Sequence, residues 1–314
     1  PGQPNGTAAQ SRRCFLKTTA GLLAWGAASR IQTTASAAVP LISGATRAAR
    51  DEAIRQMPLK MLAEPIRSKV QAVIDRPTLY RRLPAQTFLC EPDLYLFLIR
   101  YPEVVVNMWQ LMGITRVKLK RTGQFMFDAA DGAGTASRVE IVYGTREQHL
   151  LFAEGFYNGP LVPRRVTGRC VLLLSSGYSQ NREKQEMVSH RLDVFVQIDN
   201  LGIEVIAKTL HPLLGKTADN NFIESTKFLS QVSRIVQTNG TGVQRLATRL
   251  NDIDPAVRQK FADLAAEINH EAILRDAQMT GGGASGRLAD TPDENDVRSI
   301  VDSEVSQSSG GTKR

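Results

Sequence analysis

One long amphipathic segment, placed after a run of alternating ones, sets the tightest limit on how this chain can fold. Between residues 219 and 237, Phe222, Thr226, Leu229, Val232 and Val236 recur at steps of three and four, with Ile223 and Ile235 beside them. That period predicts a helix of about five turns with one apolar face. Asn221 with Glu224 three residues on reads as a capping-box start, and Asn239-Gly240 as a stop. A helix of this kind must bury its stripe against another element, and the residues ahead of it supply one.

Those residues read as strands. Residues 115–129 alternate Val117 and Leu119, then Phe125 and Phe127, and 137–144 set Val139, Ile141 and Tyr143 on one face. Residues 148–157 follow a tight turn, and 165–178 are apolar in their centre. Residues 190–200 place Leu192, Val194, Val196 and Ile198 opposite Asp193, Gln197 and Asp199; 202–210 close a hairpin through 199–202. Alternation with period two, or a compact apolar run, is the strand signature. Upstream, 85–90 forms a short strand and 92–113 two short helices parted at Pro102.

The flanks are helical or polar. Residues 45–74 read as helix broken at Pro58 and Pro65, because proline costs about 3 kcal/mol inside a helix. The stripe Leu62, Ile66, Val70, Val73 and Ile74 is expected to pack against the domain C-terminal to it. Residues 242–279 continue as a charged helical region interrupted near Asp254-Pro255. The Gly-, Ser- and Asp-rich residues 280–314 have little to bury and are expected to be disordered. The expected divisions are 1–37, 38–84, 85–239, 240–279 and 280–314.

The first division carries an address. Ser11-Arg12-Arg13-Cys14-Phe15-Leu16-Lys17 precedes an uncharged run, 18–28, too short to span a bilayer, and Ala35-Ser36-Ala37 offers a small-residue cleavage site. The order Ser11, Arg12, Arg13, Phe15, Leu16, Lys17 resembles the twin-arginine (Tat) export signal. The resemblance implies cleavage after Ala37, the Tat export machinery as a partner, and a location in the periplasm or cell envelope. The whole chain holds 39 basic and 31 acidic residues; without the signal the balance is 35 against 31, interspersed, which argues against a nucleic-acid role. No second stretch reaches membrane-spanning length, so the mature form is expected not to be transmembrane. Only Cys90 and Cys170 remain after cleavage, too few for a disulfide framework.

Catalytic motifs are missing from the sequence. His149, His190, His211 and His270 are scattered. Glu267 and His270, three apart, form half of a di-iron pattern with no second half, and Met187 with His190 lacks the further ligand copper would need. The glycine-rich 131–137 joins two strands rather than a strand and a helix, so it reads as a hairpin tip and not a phosphate cradle. Arg81-Arg82 and Arg164-Arg165 are basic pairs that could touch anionic lipid headgroups, with exposed surface the commoner explanation. No metal, cofactor or catalytic residue is assigned, and the expectation leans away from an enzyme.

The order over 85–239 is a strand, two short helices, six antiparallel strands and one long amphipathic helix. It resembles the START-like (SRPBCC) helix-grip superfamily. The resemblance implies an α+β fold in which a curved antiparallel sheet packs on the long C-terminal helix, with helical extensions at both ends and a cavity between sheet and helix. It implies cavity-lining roles for Phe125, Phe127, Tyr143, Phe152, Leu172, Leu174, Phe222, Leu229 and Val232, and a place near the cavity mouth for His211. It also implies that Cys170 lies several strands from Cys90, beyond disulfide reach at about 4.8 Å per strand. The expected function is binding of a hydrophobic small molecule or lipid by an exported protein. The alternative is a non-enzymatic cell-envelope scaffold with a filled core and a possible protein partner engaged through 242–314.

Overall fold

The computed structural model describes residues 44–160, 162, 164–199 and 216–280. The export signal (Arg12, Arg13, Phe15, Leu16, Lys17), His211, the expected strand at 202–210 and the tail beyond 280 lie outside the described residues.

Helix α1 (Gly44–Gln56), a 3-10 turn (Leu59–Met61) and helix α2 (Ile66–Asp75) come first, interrupted where Pro58 and Pro65 stand. Strands β1 (Leu79–Arg82) and β2 (Gln86–Leu89) follow, then helices α3 (Pro92–Arg100) and α4 (Pro102–Leu111), each with its proline in the first turn. Six strands come next: β3 (Lys118–Gly123), β4 (Met126–Ala130), β5 (Thr135–Gly144), β6 (Gln148–Tyr157), β7 (Val166–Gln180) and β8 (Glu186–Ile198). Helices α5 (Lys216–Thr238), α6 (Gly240–Arg249) and α7 (Pro255–Thr280) complete the described chain. The protein is α+β: a curved antiparallel sheet packed on a long helix, in helix-grip-like fashion.

The sheet runs β1-β8-β7-β6-β5-β4-β3, with β2 also paired to β8, so β1 and β2 share one edge. The single strand expected over 115–129 is two, because the chain turns back at Gly123 to pair Lys118 with Ala130. The glycine-rich 131–137 stretch is the hairpin tip expected of it: Asp131 Oδ1 accepts from the Ala133 and Thr135 amides at 2.7 and 2.9 Å.

Both faces of the sheet are covered. The inner face meets α3, α4 and α5 through Phe127, Val139, Leu172, Leu174, Phe222 and Val236, all buried in one core. The outer face carries a second core, in which Val70, Val73 and Ile74 of α2 meet Leu150, Phe152, Val171, Leu173 and Phe195. The expected packing of the 62–74 stripe thus takes place on the face away from the long helix. Helices α6 and α7 share the inner-face core through Val243, Leu250, Val257 and Phe261. Fully burying each such side chain is worth roughly 1.5–3 kcal/mol.

Helix α5 corrects the expected capping box. It begins at Lys216, and Asn221 is a buried interior residue whose carbonyl accepts from Ser225 Oγ at 2.8 Å. Asn239 does stop it, and at once starts the next helix: its side chain accepts from the Gly242 amide at 2.8 Å as the cap of α6. Among the described residues no helix is long and apolar enough to cross a membrane.

Candidate functional site

The antiparallel register of β7 on β8 stacks apolar partners along the inner face: Cys170 with Val196, Leu172 with Val194, Leu174 with Leu192. The next rung is polar, Ser176 opposite His190. Beside it, His149 of β6 stands opposite Leu174. Helix α3 lays Tyr95 over this rung and ends at Arg100, while α5 brings Thr226. The sheet therefore carries a polar stripe across three strands, buried at both histidines and half-buried at Ser176. Tyr95 and His149 have no exposed surface, Thr226 has 3% and His190 5%.

Most of the stripe is bonded in one direction. Thr226 donates its only hydroxyl hydrogen to the Phe222 carbonyl at 2.8 Å, so toward His190 Nε2, also at 2.8 Å, it can only accept. His190 is therefore protonated on Nε2 and bare on Nδ1, where the Tyr95 hydroxyl donates at 3.3 Å. Ser176 Oγ then donates to Tyr95 Oη at 2.8 Å. The imidazole is stacked on Phe222 at 4.6 Å and flanked by Phe88 at 5.0 Å. Burial in these surroundings holds it down at about 4, neutral at physiological pH. Among the described residues, the ring nitrogens of His190 are bonded to Tyr95 and Thr226 and to no carboxylate.

His149 is different. Both its ring nitrogens are buried without a hydrogen-bond partner among the described residues. It lies against the backbone of Gly144, where an added Cβ would come within 3.0 Å of its Cδ2. Burial, and then the charge of Arg100, holds this imidazole down at about 4.

Of the expected cavity residues, Phe127, Leu172, Leu174, Phe222, Leu229 and Val232 are brought together in the inner-face core. Three placements are corrected. Phe125 is 46% exposed, because it lies in the β3–β4 turn rather than in a strand. Tyr143 packs on the outer-face core, because a bulge between Ile141 and Tyr143 reverses its side of the sheet. Phe152 also faces outward, on the same side as Leu150 and beneath α2. Cys90 and Cys170 are free and buried, with burial as the chief cause raising both thiols to about 12. They lie only two strands apart, not several. Their separation runs along the strands instead: Cys90 bonds Glu186 of β8, whereas Cys170 pairs with Val196.

Glu267 and His270 are exposed on α7, and His190 is engaged by Tyr95 and Thr226 rather than by Met187. Among the described residues, no cluster of His, Cys, Asp or Glu could hold a metal. Arg81 and Arg82 are tied into ion pairs with Asp219 and Asp193. Tyr95, Ser176 and Thr226 escaped sequence reasoning. The available signal was a polar residue at an apolar-phase position, Thr226 in the helical stripe and His190 in phase with Leu192.

Two shallow depressions, of about 730 and 580 Å³, lie on the outer face and share Arg169 and Asp199. Their charges largely answer one another, Arg138 with Asp128 at 3.3 Å and Arg169 with Asp199 at 3.0 Å.

No family model matches the chain, and no curated protein matches it. Among solved structures, a conserved protein from Geobacillus kaustophilus is 14% identical, over 47% of this chain and 93% of that one, at a TM-score of 0.30. Ara h 8.0201 is 12% identical, over 46% of this chain and 99% of that one, at 0.23. Dicamba monooxygenase bound to 3,6-dichlorosalicylic acid is 12% identical, over 63% and 61%, at 0.19. Likenesses this faint leave the family open and bear on neither ligand nor reaction.

Proposed function

We propose that this is an exported, non-enzymatic protein that binds a hydrophobic small molecule or lipid, bearing a polar group, between the sheet and its gripped helix. The observation that supports it is the polar stripe. Apolar side chains of similar volume would stabilise the interior at least as well, since a buried polar group contributes little even when bonded and costs about 1–3 kcal/mol when not. A polar rung and an unbonded imidazole inside a greasy layer suit a ligand that is mostly apolar with one polar end. Because both histidines, Tyr95 and Thr226 are enclosed, uptake requires α3 or α5 to draw back from the sheet. Export through the Tat machinery to the periplasm or envelope is supported by Ser11 to Lys17 alone.

Native mass spectrometry of the exported protein, followed by organic extraction, tests the reading. A reproducible apolar compound released on extraction is the expected result. A bare polypeptide mass, unchanged after incubation with total membrane lipids, overturns it. For export, cell fractionation of Arg12→Lys with Arg13→Lys should show precursor retained in the cytoplasm; unimpaired export would remove the Tat assignment.

The well-packed inner core and the outward position of both depressions favour a second reading, a rigid envelope protein that contacts partners through its surface. A bare mass, together with a stable complex recovered from the envelope by cross-linking, would favour it.

A further inference from the structure

The hydrogen bonds through His190 all point one way, and they end on a residue that reaches the surface. From the inside outward, Thr226 donates to the Phe222 carbonyl, His190 Nε2 to Thr226, Tyr95 to His190 Nδ1 and Ser176 to Tyr95, at 2.8, 2.8, 3.3 and 2.8 Å. Each hydroxyl has a single hydrogen to give, so the first bond fixes the direction of the rest. Ser176 is last in the chain. Its hydrogen is spent on Tyr95, and among the described residues no donor reaches its oxygen. Thr226, His190 and Tyr95 are enclosed, whereas Ser176 is half-buried. Two residues on, Tyr178 follows on the same face, with its hydroxyl donated to the Arg146 carbonyl at 2.6 Å. The open end of the chain therefore presents only the lone pairs of Ser176 Oγ.

We infer that Ser176 selects the polar end of the ligand, and that this end is an uncharged hydrogen-bond donor. The inference rests on the binding function proposed above and names the class of its ligand: an apolar alcohol. An oxygen with no hydrogen to spare is matched by an O–H or N–H group. Ketones, esters and ethers have no such hydrogen, and against them Ser176 would have to give up its bond to Tyr95. Carboxylates and phosphates would bring a negative charge, and an ammonium a positive one, beside Ser176, Tyr95, His190 and Thr226, none of which carries a charge to answer it. A hydroxyl supplies the missing hydrogen and adds no charge. The apolar body of the ligand would run from Ser176 along the inner face, past Leu174 and Leu192 on the next rung.

The test compares hexadecan-1-ol with its methyl ether, each titrated into the full-length protein, Ser176→Ala and Ser176→Thr. The ratio of the two affinities is the readout, because the greater hydrophobicity of the ether cancels between variants. Losing one neutral hydrogen bond should lower the alcohol-to-ether ratio by about three- to tenfold in Ser176→Ala. Ser176→Thr keeps the oxygen and should return the ratio toward the native value. The direction of the chain is checked separately by the 15N shifts of the His190 ring in the native protein, which should show the proton on Nε2. A ratio unchanged in Ser176→Ala overturns the role of Ser176. A proton on Nδ1 also overturns it, since the chain would then run the other way and Ser176 would offer a donor. Either result leaves the carrier function standing. Binding of neither compound, with a bare mass on extraction, overturns both.

Discussion

Arg82 Nε donates to Asp193 Oδ1 at 2.7 Å, although Asp193 has no exposed surface at all. The same carboxylate accepts from the Tyr80 hydroxyl at 2.6 Å, and Arg82 reaches on to Glu52 of α1 at 2.8 Å. Two adjacent strands and the first helix are thus fastened through one buried acid on the outer face. Removing one partner of a buried pair leaves the other charge uncompensated, typically at about 3–5 kcal/mol. Asp193→Ala should lower the stability measured by urea unfolding by roughly that much. A change within about 0.5 kcal/mol, the ordinary surface range, would show that the network carries no weight.

Acid should destabilise the fold through its two buried histidines. His149 and His190 stand at about 4 in the fold against an ordinary 6.5, so the unfolded chain takes up their protons first as pH falls. Their contribution is present above pH 6.5 and is lost as pH drops toward 4. It amounts to roughly 3 kcal/mol each, at about 1.36 kcal/mol per unit. Denaturation midpoints from about pH 7.5 to 4 should fall across that window, and His190→Gln should flatten the fall. A midpoint that stays flat across the whole range would contradict the burial of both rings.

The direction of the Thr226 bond can be tested. Thr226→Val is nearly isosteric but leaves the His190 Nε2 hydrogen unanswered in the core, for a loss of about 1–3 kcal/mol. Thr226→Ser keeps the oxygen and should lose less. If Val proves as stable as Ser, the assigned tautomer is wrong.

Gly144→Ala should be destabilising only while His149 is present, since the new Cβ meets that ring at 3.0 Å. Comparing the substitution in the native chain and in His149→Ala isolates the coupling. Additive effects would show that the close approach is relieved elsewhere.

Cys90 and Cys170 should resist alkylation at mildly alkaline pH in the native protein and react fully in denaturant. Both are buried, with thiols pushed up to about 12. Mass spectrometry counts the labels; two labels on the folded chain would contradict the placement of both.

What was legible in the sequence was whatever a local period encodes. Val194 and Val196 alternate with Asp193 and Gln197, and the fold puts the valines inward as their spacing requires. Phe222, Leu229 and Val232 recur at helical steps and line the gripped face. Pro58, Pro65, Pro92 and Pro102 mark element boundaries because the ring removes a donor wherever it stands.

Other features depend on partners distant in sequence, and only the tertiary structure decided them. A one-residue bulge sends Tyr143 outward, and no period announces a bulge. The 62–74 stripe could have packed on either face of the sheet; it took the outer one, where Phe152, Val171 and Phe195 offered a second apolar surface. His149, Ser176 and His190 sit on three different strands, and Tyr95 and Thr226 on two helices. Strand register together with the seating of α3 and α5 makes them one stripe. Periodicity determines which side of an element is apolar. Which apolar sides meet, and which polar groups they enclose together, is settled by long-range packing.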